Sequence, residues 1–271
     1  MEFLNYFLTL ILATLGVFFG CGLTVHLIAK SFSSLLGRSS GHLFDVTAPI
    51  GTPIHELGHA VMCKIFGHKI VKMKLWSPRA ENGVYGYVNH SYSKRNLWAR
   101  FGNLFIGMGP LFSGLGVTVF MLWLCFPSLW ESYLVHSERM IYTSEILGER
   151  LPLGEIWSGI WMLLRGSFDA LRHDWLRSLL GLAVILPVSL HVSLSPQDVK
   201  ASLGSLPVVL GLLAVFACAT FWTPLGSTIL ASLWLFNLRL ISLFALVIGF
   251  ALVWLALALT VRLIRFVIGC F

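Results

Sequence analysis

Apolar stretches recur along the whole chain, and a stretch of about 20 apolar residues crosses a hydrocarbon core of about 30 Å. Six segments answer to that length: 3–29, 46–66, 101–126, 176–194, 206–222 and 240–261. The pattern predicts an α-helical polytopic membrane protein, a single integral membrane domain over 1–271 with about six transmembrane helices. The first run lacks a basic leading segment and exceeds the apolar length of a secretory signal, so it reads as a retained helix. The second is interrupted by Pro49 and Pro53, and Thr52-Pro53 reads as an N-cap followed by proline at the first helical position, which predicts a broken or re-entrant helix. Gly67, directly after Lys64-Ile65-Phe66, reads as a helix C-terminal glycine.

Between the second and third segments the pattern changes. Lys72-Met73-Lys74-Leu75 alternates polar and apolar, Val84-Tyr85-Gly86-Tyr87-Val88 does so more loosely, and the turn-rich stretch 77–83 separates them. This predicts a small membrane-associated β-hairpin. Further on, 127–175 falls outside the apolar segments as a loop. Within it, residues 153–171 place Ile156, Trp157, Ile160, Trp161, Leu164 and Phe168 at helical spacing, the mark of an amphipathic helix at an interface.

Composition agrees with the pattern: 57% of residues are hydrophobic and 11% charged, with a mean hydropathy of +0.83, where soluble domains carry roughly 25% charged residues. The net charge of +7 is that of basic residues flanking membrane helices and meeting anionic lipid, and it calls for no nucleic-acid partner. Lys64, Lys69, Lys72, Lys74, Arg79, Lys94, Arg95 and Arg100 stand against Glu81 alone between 64 and 100, which marks this loop as cytoplasmic. Counting six crossings from there puts both termini in the cytoplasm, in an inner or plasma membrane, and 127–175 outside. Arg239, on the outer side, runs mildly against the count. The five cysteines, Cys21, Cys63, Cys125, Cys218 and Cys270, lie singly in apolar sequence as small packing residues. Cys63 follows His55 by eight residues, about 12 Å along a helix, too far to share one ion with it.

The chemistry lies in His55-Glu56-Leu57-Gly58-His59. On a helix, His-x-x-x-His puts two imidazoles one turn apart on one face, with a glutamate beside them to activate water at a metal. Ionisable groups inside a membrane segment cost several kcal/mol unless paired or functional, and Gly58 and Ala60 are small enough to let another helix or a substrate approach closely. His26, alone in the first run, reads as a core histidine. A catalytic zinc site takes a third protein ligand, and Asp198, His191 and Asp45 are the candidates. The topology favours Asp198, because the fourth segment ends just before it on the side where His59 lies. Ser195-Pro196-Gln197-Asp198 is also a good helix start, with Ser195 as N-cap and Asp198 at N3.

With these motifs the chain resembles the site-2 protease family of intramembrane zinc metalloproteases. His55-Glu56-Leu57-Gly58-His59-Ala60 is similar to that family's zinc motif, Gly109-Pro110-Leu111 to its Gly-Pro-Leu helix start, and Ser195-Pro196-Gln197-Asp198 to its Asn-Pro-x-Asp-Gly motif. Ser113, Ser195 and Val199 depart from the pattern, as in a divergent member. The resemblance covers roughly 45–200, and the protease core is expected over about 45–205. It implies that His55, His59 and Asp198 hold zinc and that Glu56 is the general base. It further implies that the substrate is a transmembrane segment of a membrane protein within the lipid bilayer. The alternative is a non-proteolytic scaffold or transporter-like subunit with a structural or vestigial zinc site.

Overall fold

A computed structural model describes residues 1–37, 39–78 and 84–269. Arg79 and Glu81 of the basic loop, most of its turn, and Cys270 lie outside the described residues. The chain is overwhelmingly helical. It opens with α1 (Glu2–Ile11), a π-helical turn (Leu12–Gly16) and α2 (Val17–Leu36), which run together as one apolar helix, Glu2–Leu36. A π-turn displaces the regular backbone bonding, and here the Ala13 carbonyl accepts from the buried Asn237 side chain at 2.8 Å.

Next come α3 (Ser39–Ile65), strands β1 (Lys69–Lys74) and β2 (Tyr87–Ser91), α4 (Leu97–Gly107) and α5 (Gly109–Cys125). They are followed by α6 (Pro127–Ile146), α7 (Leu153–His173), α8 (Trp175–His191), α9 (Pro196–Thr220) and α10 (Leu225–Ile268). Among the described residues, three helices are long and apolar enough to cross a membrane: Glu2–Leu36, α9 and α10. The pair α4 and α5, bent by 54° at Met108, makes a fourth if taken as one span. Of the other two expected segments, α8 is apolar but only 17 residues long, about 25 Å at 1.5 Å per residue. The other, α3, is long enough but carries its polar chemistry along its length.

Three expectations change. The prolines do not break α3, which runs on through Pro49 and Pro53; Thr52 is inside it, and its buried hydroxyl caps nothing. Tertiary packing compensates for the lost backbone bonds, since Thr47, Ala48, Gly51, Thr52 and Gly58 are all buried against neighbouring helices. The stretch after Phe126 is not a loop but two packed helices. Here α6 escapes an apolar-pattern reading because its buried positions are largely polar, Tyr133, His136, Ser137 and Ser144: Tyr133 hydrogen-bonds Ser242 at 2.9 Å, and the exposed Arg139 pairs with Glu155 at 2.7 Å. Arg239 is on α10 and pairs with Glu138 of α6 at 3.5 Å. The amphipathic helix is α7, with Ile160 and Leu163 buried while Trp157 and Trp161 are more than 60% exposed.

The strands pair antiparallel, with Lys69 opposite Ser91 and Lys74 opposite Tyr87, and a bulge between Ile70 and Lys72. The first strand therefore begins three residues earlier than the alternation suggests, and Val84, Tyr85 and Gly86 precede β2 rather than belonging to it.

The core joins α2, α4, α5, α8, α9 and α10 through Val25, Leu104, Leu111, Val188, Val209 and Phe244. Two close approaches set the helix positions around the polar centre. A Cβ on Gly58 would sit 2.4 Å from the Gly109 carbonyl oxygen and 2.5 Å from Ser113 Oγ. One on Gly107 would sit 2.1 Å from Ser202 Oγ and 2.4 Å from the Asp198 carbonyl oxygen. So α3 meets α5, and α4 meets α9, nearly backbone to backbone. Gly58→Ala should destabilise the protein by about 1–3 kcal/mol through overpacking and lower its thermal midpoint in detergent. Gly116→Ala on α5, where a Cβ meets nothing within 4 Å, should be neutral or mildly stabilising; equal midpoints for the two variants would contradict this packing.

Candidate metal centre

The helical repeat puts His55 and His59 on one face of α3, with their Nε2 atoms 3.3 Å apart. Asp198 comes from the first turn of α9. Its Oδ1 is 3.2 Å from His59 Nε2, and its Oδ2 is 3.6 Å from His55 Nε2. The three side chains are 10–15% exposed, nearly enclosed without being sealed.

What fixes the rings lies behind them. His55 Nδ1–H donates to the His191 carbonyl at 2.7 Å, and His59 Nδ1–H to the Ile106 carbonyl at 2.7 Å. A carbonyl only accepts, so each neutral ring carries its proton on Nδ1 and turns the Nε2 lone pair inward. Both carbonyls belong to helix C-terminal ends, where the last C=O groups lack helical partners. For Ile106 the residue four positions on is Pro110, which has no N–H. For His191 it is Ser195, whose N–H goes to Asp198 Oδ2 at 2.7 Å instead. The ends of α4 and α8 thus aim the negative poles of their dipoles at the histidines, an arrangement that favours a cation between them.

Asp198 has both of the roles that its position in the chain suggests. It completes a capping box, with its backbone N–H donating to Ser195 Oγ at 3.2 Å while Oδ2 accepts from Ser195 N–H. The cap leaves Oδ1 to His59, while Oδ2, which accepts from Ser195 N–H, also faces His55. Two imidazole lone pairs and the two oxygens of one carboxylate then face one another, which is unfavourable unless a cation or extra protons intervene. Tetrahedral zinc with bonds of about 2.0–2.1 Å to N and O needs its ligand atoms roughly 3.3 Å apart, and the observed 3.2–3.6 Å fits.

Glu56, 7% exposed, lies within electrostatic reach of His55, His59 and Asp198. The hairpin approach presses against it: a Cβ on Gly86 would lie 2.8 Å from Glu56 Cγ. Asp45 is not part of the group. It accepts the Tyr85 hydroxyl at 2.6 Å, and burial together with this carboxylate pushes the Tyr85 phenol up to about 12. The tie therefore holds at neutral pH and fastens the hairpin approach to α3. His191 contributes its carbonyl, while its ring Nδ1 turns to the Pro187 carbonyl at 3.0 Å.

No residue type marks the Ile106 and His191 carbonyls in the sequence, since a carbonyl has no side-chain identity. The one signal available was Pro110, which frees the carbonyl four residues before it.

No family model matches the chain, and neither a curated protein nor a solved structure matches it.

Asp198→Asn keeps the capping shape but weakens the donor. It should reduce zinc affinity, measured by chelator competition, by more than the roughly 10–100-fold that loss of an outer partner costs. Ser195→Ala should cost about 1 kcal/mol of helix stability and leave the ion bound. Equal zinc affinity in wild type and Asp198→Asn would remove Asp198 from the site.

Proposed function

We propose that this chain is an intramembrane zinc metalloprotease of the site-2 protease kind. It would hydrolyse a peptide bond in or near a transmembrane segment of a membrane-protein substrate. The observation that carries this reading is the convergence of His55 Nε2, His59 Nε2 and the Asp198 carboxylate beside a buried Glu56, in a chain with several membrane-length apolar helices.

His55, His59 and Asp198 would hold the ion, with the Ile106 and His191 carbonyls keeping both rings in the ligating tautomer. Zinc, when bound, supplies Lewis acidity toward water and a peptide carbonyl. Glu56 accepts the proton of the attacking water at its carboxylate and returns it to the departing amine. Its near-burial keeps bulk water from competing for that proton.

A substrate helix hides its carbonyls in its own hydrogen bonds and has to unwind before attack. The sheet has only two strands among the described residues, so β2 has a free edge to which an extended peptide can add. The segment leading into β2 passes Glu56 at Gly86, so a strand laid along it lies beside the reacting groups. In the membrane, α3 and α8 would join the longer apolar helices as the second and fourth of six segments, with both termini and the basic hairpin on the cytoplasmic side.

The test is cleavage of a quenched-fluorescence transmembrane peptide by purified protein in detergent. Glu56→Gln should lower turnover by about 10²–10⁴-fold with zinc content unchanged. Equal turnover in the variant would overturn the protease reading and favour a non-proteolytic subunit. Val84→Pro, which bars strand addition ahead of β2, should lower turnover while Glu56 and the zinc remain in place; undiminished cleavage would sink the strand-addition step.

A further inference from the structure

Nearly two helical turns beyond His59, α3 ends at Ile65, and a second group of ligating side chains gathers at that end. Cys63, His68 and His90 each bring one ligand atom to within 4.8 Å of the other two. Neither the protease reading nor any motif in the sequence uses them.

The local fold explains how they meet. Gly67 takes a left-handed conformation with φ +70, and the His68 N–H bonds back to the Cys63 carbonyl at 2.8 Å. This is the six-residue closure of a Schellman motif, and it folds His68 onto the turn that carries Cys63. The hairpin register sets Ile70 opposite His90, which brings His90 against the same place. The His68 and His90 Nδ1 atoms are 2.9 Å apart.

The surroundings prepare these groups as ligands. His68 Nε2–H donates to the Ala99 carbonyl at 2.9 Å, so the neutral ring presents its Nδ1 lone pair to the group. Its ring is stacked on Tyr92, centroids 4.5 Å apart, and is 6% exposed. Cys63 is fully buried, packed with Phe66 and Ile106. A carbonyl fixing the tautomer of a buried histidine beside a buried thiol is the outer shell of a metal site. The His68 Nδ1 lone pair meets His90 Nδ1 at 2.9 Å, and a ligand atom of Cys63 lies within 4.8 Å of a ligand atom of each histidine.

We propose that Cys63, His68 and His90 form a second metal site, a thiolate and two imidazoles for a zinc-class ion, which clasps the hairpin to the end of α3. Bonds of about 2.3 Å to sulfur and 2.0–2.1 Å to nitrogen require the two rings to open by roughly half an ångström. On binding, the Cys63 thiol proton leaves to solvent, and the proton that His90 shares with His68 moves to the other His90 nitrogen, leaving two neutral imidazoles and one thiolate. The consequence is mechanical: β2 begins one residue after Gly86, so an ion at this clasp holds the hairpin against the helix that carries Glu56.

Sulfur separates this site from the other, because His55, His59 and Asp198 offer none. The test is cobalt(II) substitution of the full-length protein in detergent, read as a thiolate-to-cobalt charge-transfer band in the near ultraviolet. Wild type should show the band, and Cys63→Ser and His90→Ala should each lose it while still binding cobalt at the first site. His59→Ala and Asp198→Asn, which damage the first site, should keep it. His90 is only half-buried, so His90→Ala tests the site without opening a cavity in the core. A wild-type protein that binds cobalt without the band, or a band that persists in Cys63→Ser, would overturn the proposal.

Discussion

Two imidazole lone pairs and a carboxylate face one another at 3.2–3.6 Å in a nearly enclosed setting, and the organisation around them follows from keeping them there. Electron-rich atoms at that distance repel unless positive charge lies between them, so the fold has to hold them by other means. It does so from behind, with the carbonyls of Ile106 and His191 locking each ring and Ser195 locking the carboxylate. The locking groups come from three different helix ends. Their precision depends on the near backbone contact of α3 with α5 and of α4 with α9, which only glycine at 58 and 107 permits.

The same constraint gives α3 its character. A helix carrying Asp45, His55, Glu56 and His59 is a poor membrane span by composition, and two prolines weaken its backbone bonding further. It stays helical because neighbours bury its small face and the Tyr85–Asp45 hydrogen bond ties the hairpin approach to it. Its N-terminal half meets that tie, its middle holds the histidines, and its last turn gathers Cys63 with His68 and His90. One helix thus connects the proposed reaction centre to the strand edge that would receive a substrate.

The helices α6 and α7 stand apart from this chemistry. They pack on α10 and on each other through Tyr133, Arg139 and Glu155, and α7 presents its tryptophans outward. The outward side of α7 carries Trp157, Trp161 and Phe168 together with the exposed pair Arg165 and Asp169.

Features that depend on neighbours in the chain were legible from the sequence. The apolar runs marked the long helices, the 3.6-residue repeat placed His55 and His59 on one face, Gly67 marked the end of α3, and alternation marked a hairpin close to its true place. Each rests on local backbone geometry, which residue type and spacing specify. Tertiary structure decided the rest. Packing kept α3 intact through Pro49 and Pro53 and made a helix of the polar stretch before Ile146. It chose Asp198 over His191 and Asp45 to face the histidines. It recruited backbone carbonyls that no side chain announces, and the strand register brought His90 to Cys63 across 27 positions of sequence. These outcomes depend on which surfaces meet once helices pack, and contacts between distant segments are set by the whole fold rather than by any window of residues.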